Sequence, residues 1–203
     1  MLTLYYAPQS RATRVLALLH ELGAADKVEI RPVTLRRHDN TGAADPANPH
    51  PEGKVPLLVH DGVAIRESDA IMIHLCTLFP EAGLMPQPGT PEHGAFLSWM
   101  AWYGNVMEPV IVGQVAGIEH PAYHATFRGL KEMQARVTEA LSRGPWLLGA
   151  RMSAADILVC STFLWMPDSA PRDAAVQDWI KRCAALPGQV KALAFEATLQ
   201  AAA

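Results

Sequence analysis

Three stretches of this chain carry residue types able to hold a charged, nucleophilic ligand. The first is Tyr5-Tyr6-Ala7-Pro8-Gln9-Ser10-Arg11, where a β-prone run gives way to a helical pattern. Free backbone N–H groups at a helix start create positive potential, and a thiol placed there loses its proton more readily. The corner itself reads Ser10-Arg11-Ala12-Thr13 and has no cysteine pair for disulfide exchange, so any reactive sulfur must come from a ligand. The second stretch is Gly53-Lys54-Val55-Pro56-Leu57-Leu58. Its proline enters a strand; a cis bond would turn the Val55 backbone outward to pair with an extended ligand, and a trans bond would make it an ordinary strand entry. The third, Arg66-Glu67-Ser68-Asp69, ends a strand and starts a helix. N–H groups there suit a carboxylate and Glu67 suits an ammonium, which together describe an amino-acid end group. As isolated features, Ser10 and Ser68 read equally well as plain helix caps. Ser153 and Asp156, three apart before an apolar run, read as a capping box and not as a catalytic pair.

These stretches need elements to hold them. Residues 2–6 read as a strand, and Arg11 to Leu22 as a helix with Val15, Leu18, Leu19 and Leu22 at helical spacing and Gly23 as its stop. Residues 27–34 read as a second strand, edge-placed by Pro32. Pro56–His60 and Val63–Arg66 form a hairpin about Asp61-Gly62, and Ser68 to Leu78 a helix. The order is βαβ followed by ββα, the plan of a thioredoxin-like α/β domain over residues 1–79. Residues 80–91 hold four prolines and two glycines and read as a linker. From 92 to 203 only helical patterns recur, at roughly 92–117, 122–143, 153–165, 173–186 and 188–201, predicting an all-α C-terminal domain.

Composition narrows the partners. Hydrophobic residues make up 50% and the formal net charge is -3, so the chain can bury a core and has no basic stripe for nucleic acid. The start resembles no leader peptide, and no apolar run reaches the ~20 residues of a membrane span. Cys76, Cys160 and Cys183 lie far apart in apolar patterns and read as reduced core thiols. His120 and His124 flank Pro121 with no third ligand evident, so no metal site is expected. Together these features suggest a cytoplasmic protein.

In order and at these spacings, the motifs resemble the cytosolic glutathione transferase family. Gly53 to Leu58 followed by Ile65-Arg66-Glu67-Ser68-Asp69-Ala70-Ile71 is similar to its glutathione-binding signature, and Trp146 to Gly149 with Ser153 to Ile157 to its helical capping-box segment. The resemblance implies roles. Val55, before a cis Pro56, would pair with the cysteinyl backbone of glutathione. Glu67 and Ser68 would hold the γ-glutamyl end, and Lys54, with His50 as a weaker candidate, would lie near the glycyl carboxylate. Ser10 matches the serine that binds the thiolate in serine-type classes. Beta-type members use a cysteine where Arg11 stands, whereas Ser10-Arg11-Ala12 looks more like a bacterial group whose arginine helps activate the thiol. The implied catalytic set is therefore Ser10 and Arg11, with Tyr6 in reserve. Glutathione would be co-substrate, and a small hydrophobic electrophile would lie between the corner and the first C-terminal helices. A two-fold homodimer is implied as well. An isomerase, dehalogenase or peroxidase on the same fold, or a non-catalytic binding or regulatory protein, is the alternative.

Overall fold

The first strand, β1 (Leu2–Tyr6), pairs in parallel with β2 (Val28–Pro32), with Leu2 opposite Val28. Between them runs α1 (Ala12–Glu21), whose Val15, Leu16, Leu18 and Leu19 are buried. β3 (Leu57–His60) lies antiparallel to β1, and β4 (Val63–Ile65) antiparallel to β3. Asp61 and Gly62, both at positive φ, make the two-residue hairpin turn. α2 (Ser68–Leu78) then buries Ile71, Met72, Leu75 and Cys76. The sheet order is β2-β1-β3-β4, so Pro32 does fall on an edge strand. These strand directions bring three points to one end of the sheet: the exit of β1, the entry to β3 and the exit of β4. All three chemistry-bearing stretches are attached there. This computed structural model describes residues 1–37 and 39–201.

The chain forms two compact units, Met1–Ala82 with the segment from Leu186 onward, and Gly83–Ala185. Among the described residues the second unit has helices and a single isolated bridge, Trp146 with Gly149, but no strand. Its helices are α3 (Pro91–Trp102), α4 (Glu108–Val115), α5 (Pro121–Phe127), α6 (Leu130–Leu141), α7 (Ala154–Trp165) and α8 (Ala174–Ala184). Two long helical patterns turn out to be interrupted. The stretch over 92–117 carries a π-helical turn, Tyr103–Met107, just before Pro109, whose missing N–H a regular α ladder would require. The stretch over 122–143 breaks at Arg128-Gly129, where Arg128 sits at φ 62 and Gly129 is extended. Trp99, Trp102, Tyr103 and Met107 are buried in this unit, and the Arg136 guanidinium lies 4.8 and 4.7 Å from the two Trp rings.

Asp156 organises the start of α7. Its carboxylate accepts from the backbone N–H of Ser153 and of Leu147, each at 2.9 Å, and from Trp179 Nε1 at 3.0 Å. The capping box read from the sequence is present in full. Burial pushes the Asp156 carboxyl pKa up while these donors pull it back. The three cysteines are free and buried, and burial alone pushes the Cys76 thiol up to about 12.

The final helix, α9 (Pro187–Ala201), belongs with the first unit, so the helical unit stops at Ala185 and does not run to the terminus. Its buried residues are Gly188, Ala192 and Glu196, spaced four apart on one face. Small residues let α9 lie close against α1: a Cβ at Gly188 would sit 2.3 Å from the Ala17 carbonyl oxygen. The Gly188 N–H donates to Glu21 Oε1 at 2.5 Å and fastens the start of α9.

Replacing Asp156 by Ala leaves the Leu147 and Ser153 N–H groups and the Trp179 indole without their acceptor. The unfolding free energy should fall by about 3 kcal/mol, read from a urea titration. Ser153→Ala should cost only about 1 kcal/mol, since it removes one cap.

Candidate active site

The corner between β1 and α1 is built by hydrogen bonds that leave little of it free to move. The Ser10 hydroxyl donates to the Ala7 carbonyl at 2.6 Å and accepts from the Ala12 N–H at 3.1 Å. Ser10 is therefore a cap, as the sequence allows, and it is also half-exposed at the positive end of α1. Gln9 before it adopts φ 52, a conformation that costs a non-glycine residue about 1 kcal/mol or more. Arg11 is exposed in the first turn, while Arg14, one turn on, is buried.

Beneath the corner lies a carboxylate absent from the sequence-based site. Glu196 of α9 is buried, and its Oε1 accepts from the Tyr6 hydroxyl at 2.5 Å and from the Gln9 N–H at 3.1 Å. The Thr13 hydroxyl has two acceptors for its one proton, the same oxygen and the Ser10 carbonyl at 2.9 Å. The Tyr6 ring is fully buried and stands edge-on to Phe195, with centroids 5.7 Å apart. Burial, and after it the Glu196 carboxylate, raise the Tyr6 phenol pKa above its ordinary value. Tyr6 is thus a neutral donor whose hydroxyl proton is committed to Glu196 of α9.

The second stretch is carried by a loop made rigid by its own polar groups. Asp45 accepts from the N–H groups of Thr34 and Ala47, at 3.1 and 2.9 Å. The buried Asn48 donates to the Lys54 carbonyl at 3.1 Å and accepts from the His50 N–H at 3.0 Å. His50 is buried, and its Nδ1 accepts from the Glu52 N–H at 3.0 Å. Desolvation leads the causes that lower its pKa, and Glu52, Arg66, Lys54 and Glu67 are the charges near enough to act on it. His50 is therefore a neutral loop-building side chain close enough to Arg66 and Glu67 of the third stretch to feel their charge. Lys54 points its ammonium at Glu52, 2.5 Å away, with both groups exposed. The Val55–Pro56 peptide is cis. Val55 packs on the small cluster of Tyr5, Val33 and Leu57, beside the exit of β1.

At the third stretch Glu67 adopts φ 68 and ψ 128, and α2 starts at Ser68 with no cap bond from the Glu67 side chain, while Asp69 Oδ1 accepts from the Ala70 N–H at 2.8 Å. Backbone held in so sparsely populated a region costs about 1–3 kcal/mol and recurs at ligand clamps. The Glu67 carboxylate is exposed and Ser68 half-exposed beside it. Sheet topology thus brings Ser10, Val55-Pro56 and Glu67-Ser68 together at one end of the sheet.

Residues 4–83 match the family model of the glutathione S-transferase N-terminal domain. A glutathione transferase from Methylococcus capsulatus strain Bath is 26% identical and superposes with a TM-score of 0.79, over 98% of this chain and 100% of that one. A sphingomonad glutathione S-transferase, solved in complex with glutathione, is 24% identical with a TM-score of 0.75, over 96% and 98%. The fold is that of the glutathione transferases. A further match is Protein LigF from a Sphingobium strain, 32% identical over 99 residues. That alignment takes in 48% of this chain and spans only 37% of the length of the curated protein.

Two side chains of the corner escaped the sequence reading. Glu196 lies in an alanine-rich final helix, and its only signal was the Gly188-Ala192-Glu196 spacing of small residues ending in an acid. Arg37 sits in the polar run after β2 and donates to the carbonyls of Pro8 and Gln9, at 2.8 and 3.1 Å.

Glu196→Ala would strand the Tyr6 hydroxyl and the Gln9 N–H, while Thr13 keeps the Ser10 carbonyl, and should lower the unfolding free energy by about 2 kcal/mol, with Glu196→Gln intermediate, in urea titrations. The raised phenol pKa of Tyr6 has its own pH signature. A group whose folded pKa exceeds its unfolded value near 10 adds stability below that pH and loses it as pH climbs further. Tyr6→Phe should therefore be less stable at neutral pH but show a shallower alkaline decline, measured as unfolding midpoints from pH 7 upward. An equally steep decline would mean that other groups govern it.

Proposed function

We propose that this protein is a glutathione transferase that activates the thiol of bound glutathione for attack on small hydrophobic electrophiles. The observation that carries the reading is the Ser10 hydroxyl at the N-terminus of α1, on the same sheet end as cis Val55–Pro56 and Glu67-Ser68. The γ-glutamyl end is assigned to Glu67 and Ser68, the former for its ammonium and the latter, at the N-terminus of α2, for its carboxylate. The cysteinyl backbone is assigned to Val55, ahead of Pro56. Lys54 is the cation for the glycyl carboxylate, which would have to draw it from Glu52; His50 supports this loop more than it binds.

Ser10 and Arg11 are assigned to the thiol, Ser10 first. A thiolate arriving at the corner would compete with the Ala7 carbonyl for the Ser10 proton. Hydrogen bonds to an ionised acceptor are roughly twice as strong as neutral ones, so the hydroxyl should turn to the sulfur. The α1 amide ends and a permanently charged guanidinium add to the same stabilisation. The commitment of Tyr6 to Glu196 takes it out of this role and gives it one of support. The protein supplies no covalent nucleophile in this mechanism. The sulfur of glutathione attacks as the thiolate, its proton having passed to solvent before the bond to the electrophile forms.

The decisive measurement is an ultraviolet titration of thiolate in the glutathione complex across pH. The bound thiol should titrate well below the roughly 8.5 of a free cysteine. Ser10→Ala should return it toward that value and reduce kcat/KM by about 10- to 100-fold at neutral pH. Absence of thiolate at neutral pH in the native protein would sink the transferase reading and leave a binding protein on this fold.

A further inference from the structure

Arg37 is anchored in a turn of its own. Its backbone N–H donates to the Thr41 carbonyl at 2.9 Å, and its carbonyl accepts from the Asn40 N–H at 3.0 Å. Asp39 takes the Thr41 N–H at 2.9 Å and the Thr41 hydroxyl at 2.7 Å. Gly42 closes the turn at φ +70, where a Cβ would lie 2.2 Å from the Leu35 carbonyl oxygen, so only glycine fits that return. The guanidinium therefore leaves from a defined position, and it reaches the carbonyls of Pro8 and Gln9 with two different nitrogens.

The partners of this guanidinium matter more than their number. The peptide unit joining Pro8 to Gln9 gives its carbonyl to Arg37 and its N–H to Glu196. The following unit, which leads into Ser10, gives its carbonyl to Arg37 as well. One strained turn, with Gln9 at φ 52, is thus gripped by a cation on one side and an anion on the other. The two grips differ in their effect on a nearby thiolate. Glu196, being negative, opposes ionisation of a sulfur at the corner, whereas Arg37 favours it and orients the peptide ahead of Ser10.

We propose that Arg37 is a positioning residue for thiol activation: it fixes the Pro8-Gln9 turn that aims Ser10 and supplies permanent positive charge to the corner. The proposal rests on the transferase reading above. Arg37 arrives on the polar segment that also carries His50, Lys54 and Val55, so the segment assigned to the ligand's peptide backbone is tied directly to the corner assigned to its sulfur.

The test uses the full chain with glutathione and a chromogenic electrophile, comparing native protein, Arg37→Ala and Arg37→Lys. Arg37→Ala should raise the pKa of bound glutathione by about half a unit to one unit, less than the unscreened Coulomb value for a charge several ångströms away because the Arg37 contact to the Gln9 carbonyl is exposed to solvent and salt. At pH below that pKa its kcat/KM should fall by about 3- to 10-fold, and the deficit should close as pH rises and the thiolate forms unaided. Arg37→Lys, which keeps the charge but offers no planar fork, should recover most of the pKa shift. If Arg37→Ala does not fold, Arg37→Gln, neutral and of similar length, takes its place in the same comparison. A native pKa in the neutral variants, or a rate deficit of equal size at every pH, would overturn the proposal and leave Arg37 a loop fastening. If the native protein itself gives no thiolate, the transferase reading falls and this proposal with it. If native protein gives thiolate and the variants match it, only the role of Arg37 falls.

Discussion

A single carboxylate oxygen under the β1–α1 corner governs how the first unit is put together. Glu196 Oε1 collects the Tyr6 hydroxyl, the Gln9 N–H and the Thr13 hydroxyl, and the residue is almost entirely buried. Taking a carboxylate out of water costs several kcal/mol unless its lone pairs are met. The Tyr6 and Gln9 donors meet much of that cost, and Thr13 adds a hydroxyl whose one proton it divides between Glu196 and the Ser10 carbonyl. The arrangement demands that α9 approach α1 closely, which explains Gly188 and Ala192 on the same face. It also explains why a helix from the far end of the chain belongs to the first unit. Without α9, Tyr6 would be a buried phenol with no acceptor and Gln9 would lose half of what holds it at positive φ.

The same carboxylate sets a problem for the chemistry assigned to the corner. Unit charges several ångströms apart in a partly solvated site interact by about 2 kcal/mol, or more than one pKa unit. A buried anion therefore works against a thiolate nearby, and its effect must be offset locally. The donors on Glu196 are the first offset, because their dipoles counter part of its charge. Cations on the ligand side are the second: Arg37 on the Pro8 and Gln9 carbonyls and Arg11 in the first turn of α1. The α1 amide ends are the third. Structural stability and thiol activation make opposite electrostatic demands here, and the corner separates them onto its two sides.

Much of this was legible in the sequence, for identifiable reasons. Period-2 and period-3.6 patterns of apolar residues report local burial, so β1 to β4, α1, α2 and the helical nature of the second unit could be read directly. The capping box at Ser153 and Asp156 is a local signal and held in full. Interruptions within a periodic pattern are weaker signals. Pro109 and Gly129 were visible, but nothing in the apolar spacing said that the one would produce a π turn and the other a break. Glu196 and Arg37 were illegible because their meaning lies in partners far away in the chain. An acid in an alanine-rich helix and an arginine in a polar loop look like solvated surface until the fold brings both to Gln9.

The two strained residues complete the picture. Gln9 and Glu67 are ordinary polar residues held at positive φ, one before α1 and the other before α2, at the same end of the sheet. Neither conformation is favoured by its own sequence, so each must be imposed by surroundings that gain more than it costs. For Gln9 the imposing contacts are Glu196 and Arg37. For Glu67 the helix that follows supplies part of the hold, through the Ile71 N–H on the Glu67 carbonyl at 3.0 Å. Each strained residue leads into a helix start at that sheet end, and two helix N-termini on one end of a sheet would suit a ligand with separated negative groups. Under the proposed reading, glutathione, with its α-carboxylate at one end and its thiolate in the middle, has the charge pattern that two such helix starts would suit.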